Sequence, residues 1–217
     1  TYMIFAVSRT RRHVSRGLTS DVSGNAPVEY TATRQQFQFT RELSMLKLML
    51  TGMNENTDIS DTTTLGATTG TFTDRDSRNI GARLSYEYMP GNAWFAAVTY
   101  NTTGYHLPGG AARDAHGMDY KAGLEFDTAR GLRGSIFGTY IHRTYGNGLS
   151  DTRRPYPGIN LFWDATPVTT LSAWLDKSFY ETGVTGAAGT VRTQRKLKHS
   201  FTDRVAGDIS GGYNAYE

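Results

Sequence analysis

The sequence predicts an all-β chain folded as an antiparallel up-and-down transmembrane β-barrel, on three observations. Segments that alternate apolar and polar residues recur along all 217 residues. The connections between them are short and long in turn. The composition is rich in aromatic residues and glycine and has no cysteine. A strand has a side-chain period of two, so an alternating segment needs one apolar and one wet environment.

The pattern is cleanest at Met118-Asp119-Tyr120-Lys121-Ala122-Gly123-Leu124-Glu125-Phe126-Asp127. Met118, Tyr120, Ala122, Leu124 and Phe126 share one face, and Asp119, Lys121, Glu125 and Asp127 share the other. Eleven such strands are expected: Tyr2–Arg9, Tyr30–Arg41, Ser44–Asn54, Asp76–Met89, Ala93–His106, Gly117–Asp127, Leu132–Tyr145, Tyr156–Asp164, Thr169–Thr182, Val191–Thr202 and Ala206–Tyr216. Many exceed the five or six residues usual in globular sheets and suit a tilted strand that crosses a bilayer.

Within these strands Ile80, Ala82, Leu84, Tyr86 and Tyr88 oppose Asn79, Arg83, Ser85 and Glu87. Leu46, Leu48 and Leu50 oppose Lys47 and Thr51, and Ile159, Leu161 and Trp163 oppose Asn160 and Asp164. Leu171, Ala173 and Leu175 oppose Ser172 and Asp176, with Trp174 on the polar side. The Leu132–Tyr145 strand is ambiguous, because Ile136 and Phe137 compete for the apolar face.

Short turns are expected near Glu42-Leu43, at Pro90-Gly91-Asn92, at Thr128–Gly131, at Ala165–Val168 and near Asp203–Val205. Long polar loops are expected at Thr10–Glu29, Glu55–Arg75, Leu107–His116, Gly146–Pro155 and Gly183–Thr190. Strict alternation puts tight turns at one end of the sheet and loops at the other, the asymmetry of outer-membrane barrels. A soluble barrel or sandwich is the competing architecture. Eleven strands would leave the two chain ends on opposite sides of the membrane. Bacterial single-chain barrels have even strand numbers, so residues 1–217 are expected to form one barrel domain within a complete barrel of at least about twelve strands.

Tyr (13), Phe (10), Trp (3) and 24 Gly suit outer-membrane strands with interfacial aromatic girdles. A mean hydropathy of −0.48 excludes a helical membrane protein, and no run approaches the roughly 18 apolar residues of a spanning helix. The absence of Cys excludes disulfides, thiolate metal sites and a cysteine nucleophile.

From Ser77 to the end the chain resembles the putative β-barrel porin type 2 family of Gram-negative outer membranes. The resemblance rests on Tyr86-Glu87-Tyr88-Met89-Pro90-Gly91, on Gly117–Glu125, on Gly158-Ile159-Asn160-Leu161-Phe162-Trp163, on Thr166–Leu171 and on Glu181-Thr182. It covers about two-thirds of the chain. It implies an outer-membrane barrel, often beside exopolysaccharide or capsule systems, with no catalytic residues to carry over.

Candidate pore-lining residues on the polar faces are Lys47, Arg83, Glu87, Asp119, Lys121, Glu125, Arg133, Asp164 and Asp176, with Lys196 and Lys198 as further basic candidates. The chain has 23 Lys and Arg against 20 Asp and Glu. Two roles stay open: a basic wall that favours anions, or ion pairs that knit a filled interior. Tyr86, Tyr88, Trp94, Tyr100, Tyr140 and Trp163 are candidates for the aromatic girdle. Stacking against sugar rings is the alternative role for such residues, suggested by the family context.

Asn54–Asp61 carries oxygen side chains at alternating positions but lacks the glycine and closing glutamate of a calcium loop, so it reads as a polar loop. The five histidines show no zinc spacing, and His142 with Ser150 and Asp151 is the best hydrolase grouping, supported by residue type alone. The basic run Arg192–His199 alternates within a strand and suits lipopolysaccharide phosphate or solvent better than nucleic acid.

The expected function is passage of hydrophilic solutes across a Gram-negative outer membrane, linked to exopolysaccharide export. The alternative is a non-conducting barrel that docks a partner complex. Expected partners are outer-membrane lipid and lipopolysaccharide, a polysaccharide or other anionic solute, and partner protein chains. No enzyme activity, cofactor, metal or nucleic acid is expected.

Overall fold

The computed structural model describes residues 1–14, 28–59, 63–64, 67–68, 74–106, 114–128, 130–146, 151–182, 186–202 and 205–216. Long strands dominate: β1 (Tyr2–Val14), β2 (Val28–Leu43), β3 (Leu46–Ile59), β4 (Arg75–Met89), β5 (Asn92–Tyr105), β6 (Ala115–Asp127), β7 (Leu132–Tyr145), β8 (Thr152–Thr166), β9 (Thr169–Thr182), β10 (Gly186–Thr202) and β11 (Val205–Tyr216). They form one antiparallel sheet in chain order, each strand paired with its sequence neighbours. Among the described residues no helix occurs and no ladder joins β1 to β11, so the sheet is open.

Register turns eleven separate alternations into two continuous faces, because residues paired across strands point the same way. Leu48, Leu84, Ala96, Ala122, Gly138 and Pro157 follow one another across β3 to β8. One row away on the opposite face run Arg83, Ala97, Lys121, Thr139 and Tyr156. The buried residues Thr40, Thr57, Ser85, Phe95, Ala115, Phe137, Ile141 and Tyr145 all belong to the charged face. The large exposed apolar residues of the central strands, such as Ile80, Leu84, Trp94, Tyr120 and Ile136, belong to the other. The sheet therefore curls toward its charged side and turns its apolar side outward.

Two ambiguities of the sequence are settled by this register. Ile136 pairs with Leu124 and Ile159 on the convex face, and Phe137 pairs with Gly123 and Gly158 on the concave one. The two glycines make that possible: a side chain at Gly158 would overlap the Phe137 ring. Trp174 pairs with Asn160 and keeps its place on the polar side.

The short-turn end is staggered. Ser44 (φ 54°), Gly91 (φ 77°) and Gly131 (φ 74°) adopt the left-handed conformation that two-strand turns require. Each of three turns rests on the strand that follows its hairpin. The Glu87 amide donates to the Met45 carbonyl at 2.8 Å, and the Asp164 amide donates to the Gly131 carbonyl at 3.0 Å. A Cβ at Gly91 would lie 2.9 Å from the Asp127 carbonyl oxygen. This repeated step is the shear that tilts strands in a curved sheet.

The other end departs from expectation at all five long loops, for β6 begins at Ala115 and β8 at Thr152, inside the expected Leu107–His116 and Gly146–Pro155 loops. β1 and β2 extend to Val14 and from Val28, into the expected Thr10–Glu29 loop. β3 runs on to Ile59, so Asn54 to Ile59 is strand rather than loop, paired with residues 30–35 of β2. Asn54, Asn56 and Asp58 therefore share one face in a row along the strand rather than closing around one point, and Asn56 Nδ2 donates to Asp76 Oδ1 at 2.8 Å. Beyond it, Thr63–Thr64 pairs with Ala67–Thr68. Finally, β10 begins at Gly186, inside the expected Gly183–Thr190 loop. Gly186-Ala187-Ala188-Gly189-Thr190 is too uniform in size to show alternation, yet it pairs with Thr182 to Ser178.

Candidate functional site

The concave face collects every candidate pore residue at a matching register position. Lys47 pairs with Ser85, and Arg83 with Ala97 and on to Lys121. Glu87 leads through Ala93 to Glu125, and Asp119 pairs with Thr99 and Ile141. Arg133 pairs with Phe162, Asp164 with Thr170, and Asp176 with Arg192. The Asp176 side chain, like those of Lys196 and Lys198, lies outside the described residues.

The charges interleave. Arg83 Nη2 lies 2.5 Å from Glu125 Oε1. Arg133 Nη1 lies 2.6 Å from Asp164 Oδ2, which continues to Thr170 Oγ1 at 2.8 Å on the other carboxylate oxygen. Lys47 Nζ is 2.9 Å from Glu42, a partner at the short-turn end. Glu87 Oε1 accepts from the Gly91 amide at 3.0 Å and braces a turn. Sequence reasoning missed Arg143, whose Nη2 lies 3.3 Å from Asp119, while Asn101 Nδ2 donates to the same carboxylate at 3.1 Å. It also missed Arg34, 3.2 Å from Glu55. Arg143 lies in the ambiguous Leu132–Tyr145 strand, and Arg34 lies in the expected Tyr30–Arg41 strand while its partner Glu55 fell in an expected loop.

Two rings complete the middle of this wall. Phe95 and Phe137 are only 5% and 7% exposed, and their centroids are 6.4 Å apart. The Arg83 guanidinium sits 3.8 Å above the Phe95 ring, and Lys121 Nζ sits 4.3 Å above the Phe137 ring. A cation over a ring face is held by the ring quadrupole, more weakly than by a carboxylate in contact. Half-exposed ion pairs of this kind contribute about 0–1 kcal/mol each. Their main effect is to fix where the wall is positive and where it is negative.

The six girdle candidates all lie on the convex face. Trp94 is 57% exposed and pairs in register with Tyr86 and Leu124. Tyr88 reaches back to Trp94, with centroids 6.2 Å apart, near the short turns where Trp163 also lies. Tyr100 and Tyr140 sit higher, the latter 6.5 Å from Tyr120. From Trp94 to Tyr100 is six residues, about 20 Å along a strand. Between these two levels lies an apolar groove of about 950 Å³ floored by Ala96, Ala122 and Gly138.

A family model described as Putative beta-barrel porin 2 matches residues 4–217. The chain belongs to this family. The match starts in β1, so it also takes in the first three strands, which precede the stretch from Ser77 that carries the sequence resemblance. No curated protein matches the chain.

In this porin-family chain no described helix is long and apolar enough to cross a membrane, a test that does not bear on strands. The family points to an outer-membrane location. Of the hydrolase grouping, His142 pairs with Met118 and Arg153 on the convex face, Asp151 lies 3.7 Å from Arg153, and Ser150 lies outside the described residues. His106 faces Asp76 at 3.3 Å. Among the described residues no group of three or more His, Cys, Asp or Glu could hold a metal ion.

Proposed function

We propose that this porin-family protein forms a barrel in the outer membrane of a Gram-negative cell and passes hydrophilic solutes along its concave face. The observation that supports the reading most directly is segregation by face. Charged and hydrogen-bonding side chains occupy the sheltered concave side, and exposed aromatic and aliphatic side chains occupy the convex side. In a closed barrel these become a wet lumen and a lipid-facing wall.

Transport of this kind needs no bond to be made or broken. Lumen width and the charges on the wall set what passes. Positive charge held in the middle of the wall favours acidic solutes, and acidic sugars or an exopolysaccharide chain are the solutes we assign. Lipopolysaccharide and lipid would contact the convex face, and further protein chains could join the complex.

The test is conductance of the full-length protein in planar lipid bilayers. Stepwise channels with a linear current in symmetrical salt support the conduit. A folded, membrane-inserted protein that passes no current supports the alternative, a barrel that docks a partner complex.

A further inference from the structure

We propose that Lys121 is the side chain through which the lumen wall binds passing anions, with Arg83 as a fixed positive neighbour. This rests on the conduit reading and names the residue and the solute class, carboxylate- or phosphate-bearing solutes. The two cations stand on the same register row, separated by Ala97 of β5, and each lies over a phenyl ring. Their surroundings differ. Arg83 is held twice, by the Phe95 ring and by Glu125 Oε1 at 2.5 Å. Lys121 is held by the Phe137 ring, and no carboxylate oxygen lies within ion-pair distance of its ammonium among the described residues.

The nearest acid along its own strand on the loop side, Asp119, already faces Arg143 and Asn101. The one on the turn side, Glu125, faces Arg83. Both local carboxylates are thus in contact with other cations, and the ammonium has no contact counter-ion of its own to displace when it meets a mobile anion. Phe137 serves as a weak resting place. A lysine has a flexible four-carbon stem and three donors, so it can leave a ring face for an anion and return. A guanidinium locked to a carboxylate cannot do this at comparable cost. Easy release matters as much as attraction, since a wall site that held its anion tightly would block the path.

The test uses full-length protein in planar bilayers under a potassium chloride gradient. The reversal potential of the wild type is expected on the chloride side. Lys121→Gln is expected to lower the chloride-to-potassium permeability ratio by about sevenfold, because a fall of about one kT in local potential depletes chloride and enriches potassium by about 2.7-fold each. Arg130→Gln, at an exposed turn, serves as the charge-matched control and should leave the ratio unchanged. Because the chain has no cysteine, Lys121→Cys offers a single thiol. Attaching an aminoethyl group should restore the ratio, and attaching a sulfonatoethyl group should invert the preference. A conducting wild type whose ratio is unmoved by Lys121→Gln, or a thiol variant whose ratio ignores the attached charge, overturns the proposal alone. A wild type without current overturns the conduit reading and this one together.

Discussion

The ring of Phe137 occupies the space that a side chain at Gly158 would fill, in register across β7 and β8. Gly123 stands on its other flank, where a Cβ would strike the Ile136 carbonyl oxygen. Between them the ring lies along the wall, and Lys121 lies over it. Glycine here is a packing device that keeps an aromatic residue flat on the polar side of the sheet.

Gly158→Ala is therefore expected to destabilise the barrel by about 1–3 kcal/mol, the range for overpacking. Urea unfolding from lipid vesicles, followed by tryptophan fluorescence, would measure it. Adding Phe137→Ala should remove most of the clash, so the double variant should be more stable than the sum of the two single effects predicts. Strict additivity would show that ring and glycine do not compete for one space.

Asp119 and Arg143 form the most sheltered ion pair described, with side chains 26% and 15% exposed. Removing Asp119 leaves a guanidinium with reduced solvent and no counter-charge. Asp119→Ala is expected to cost about 1–2 kcal/mol, less than a fully buried pair because water still reaches both groups. The double variant Asp119→Ala with Arg143→Ala should cost less than Asp119→Ala alone. The same unfolding measurement decides it, and a larger loss in the double variant would contradict the argument.

The convex face predicts a depth profile. Ala122, on the groove floor between the two aromatic levels, is expected to tolerate arginine poorly, with a loss of about 2–4 kcal/mol near the bilayer midplane. Trp94, close to the short turns, is expected to lose only about 0–1 kcal/mol in electrostatic terms on the same substitution, beside any lost ring contact. Folding free energies in vesicles would rank them. Equal costs would place the membrane band elsewhere.

Ala96 and Ala97 are neighbours on β5 with opposite orientations, paired with Ala122 and Lys121 respectively. Single cysteines at these positions should behave differently in a barrel reconstituted in vesicles. Ala97→Cys should react with a membrane-impermeant thiol reagent, and Ala96→Cys should react only with a lipid-soluble one. Mass spectrometry reads both. The reverse result would invert the faces.

The sequence by itself determined the strands, the rhythm of turns and loops, and the opposition of Tyr120 to Lys121. These are local: a strand's period of two writes its faces into consecutive residues, and Pro90-Gly91 writes its turn. It also put most of the charged candidates on the polar face of a cleanly alternating strand, whereas Arg133, in the ambiguous Leu132–Tyr145 strand, took its face only from pairing with Phe162. Only the tertiary structure decided where alternation failed. Ile136 and Phe137 could each claim the apolar face until Gly123 and Gly158, distant in sequence, made room for the ring. The Gly186–Thr190 stretch had no pattern to read and became strand through pairing with β9. Which charge meets which was likewise undecidable locally. Arg83 reaches Glu125 and Arg143 reaches Asp119 because register across strands sets those neighbours, and register depends on pairing partners that no single segment contains.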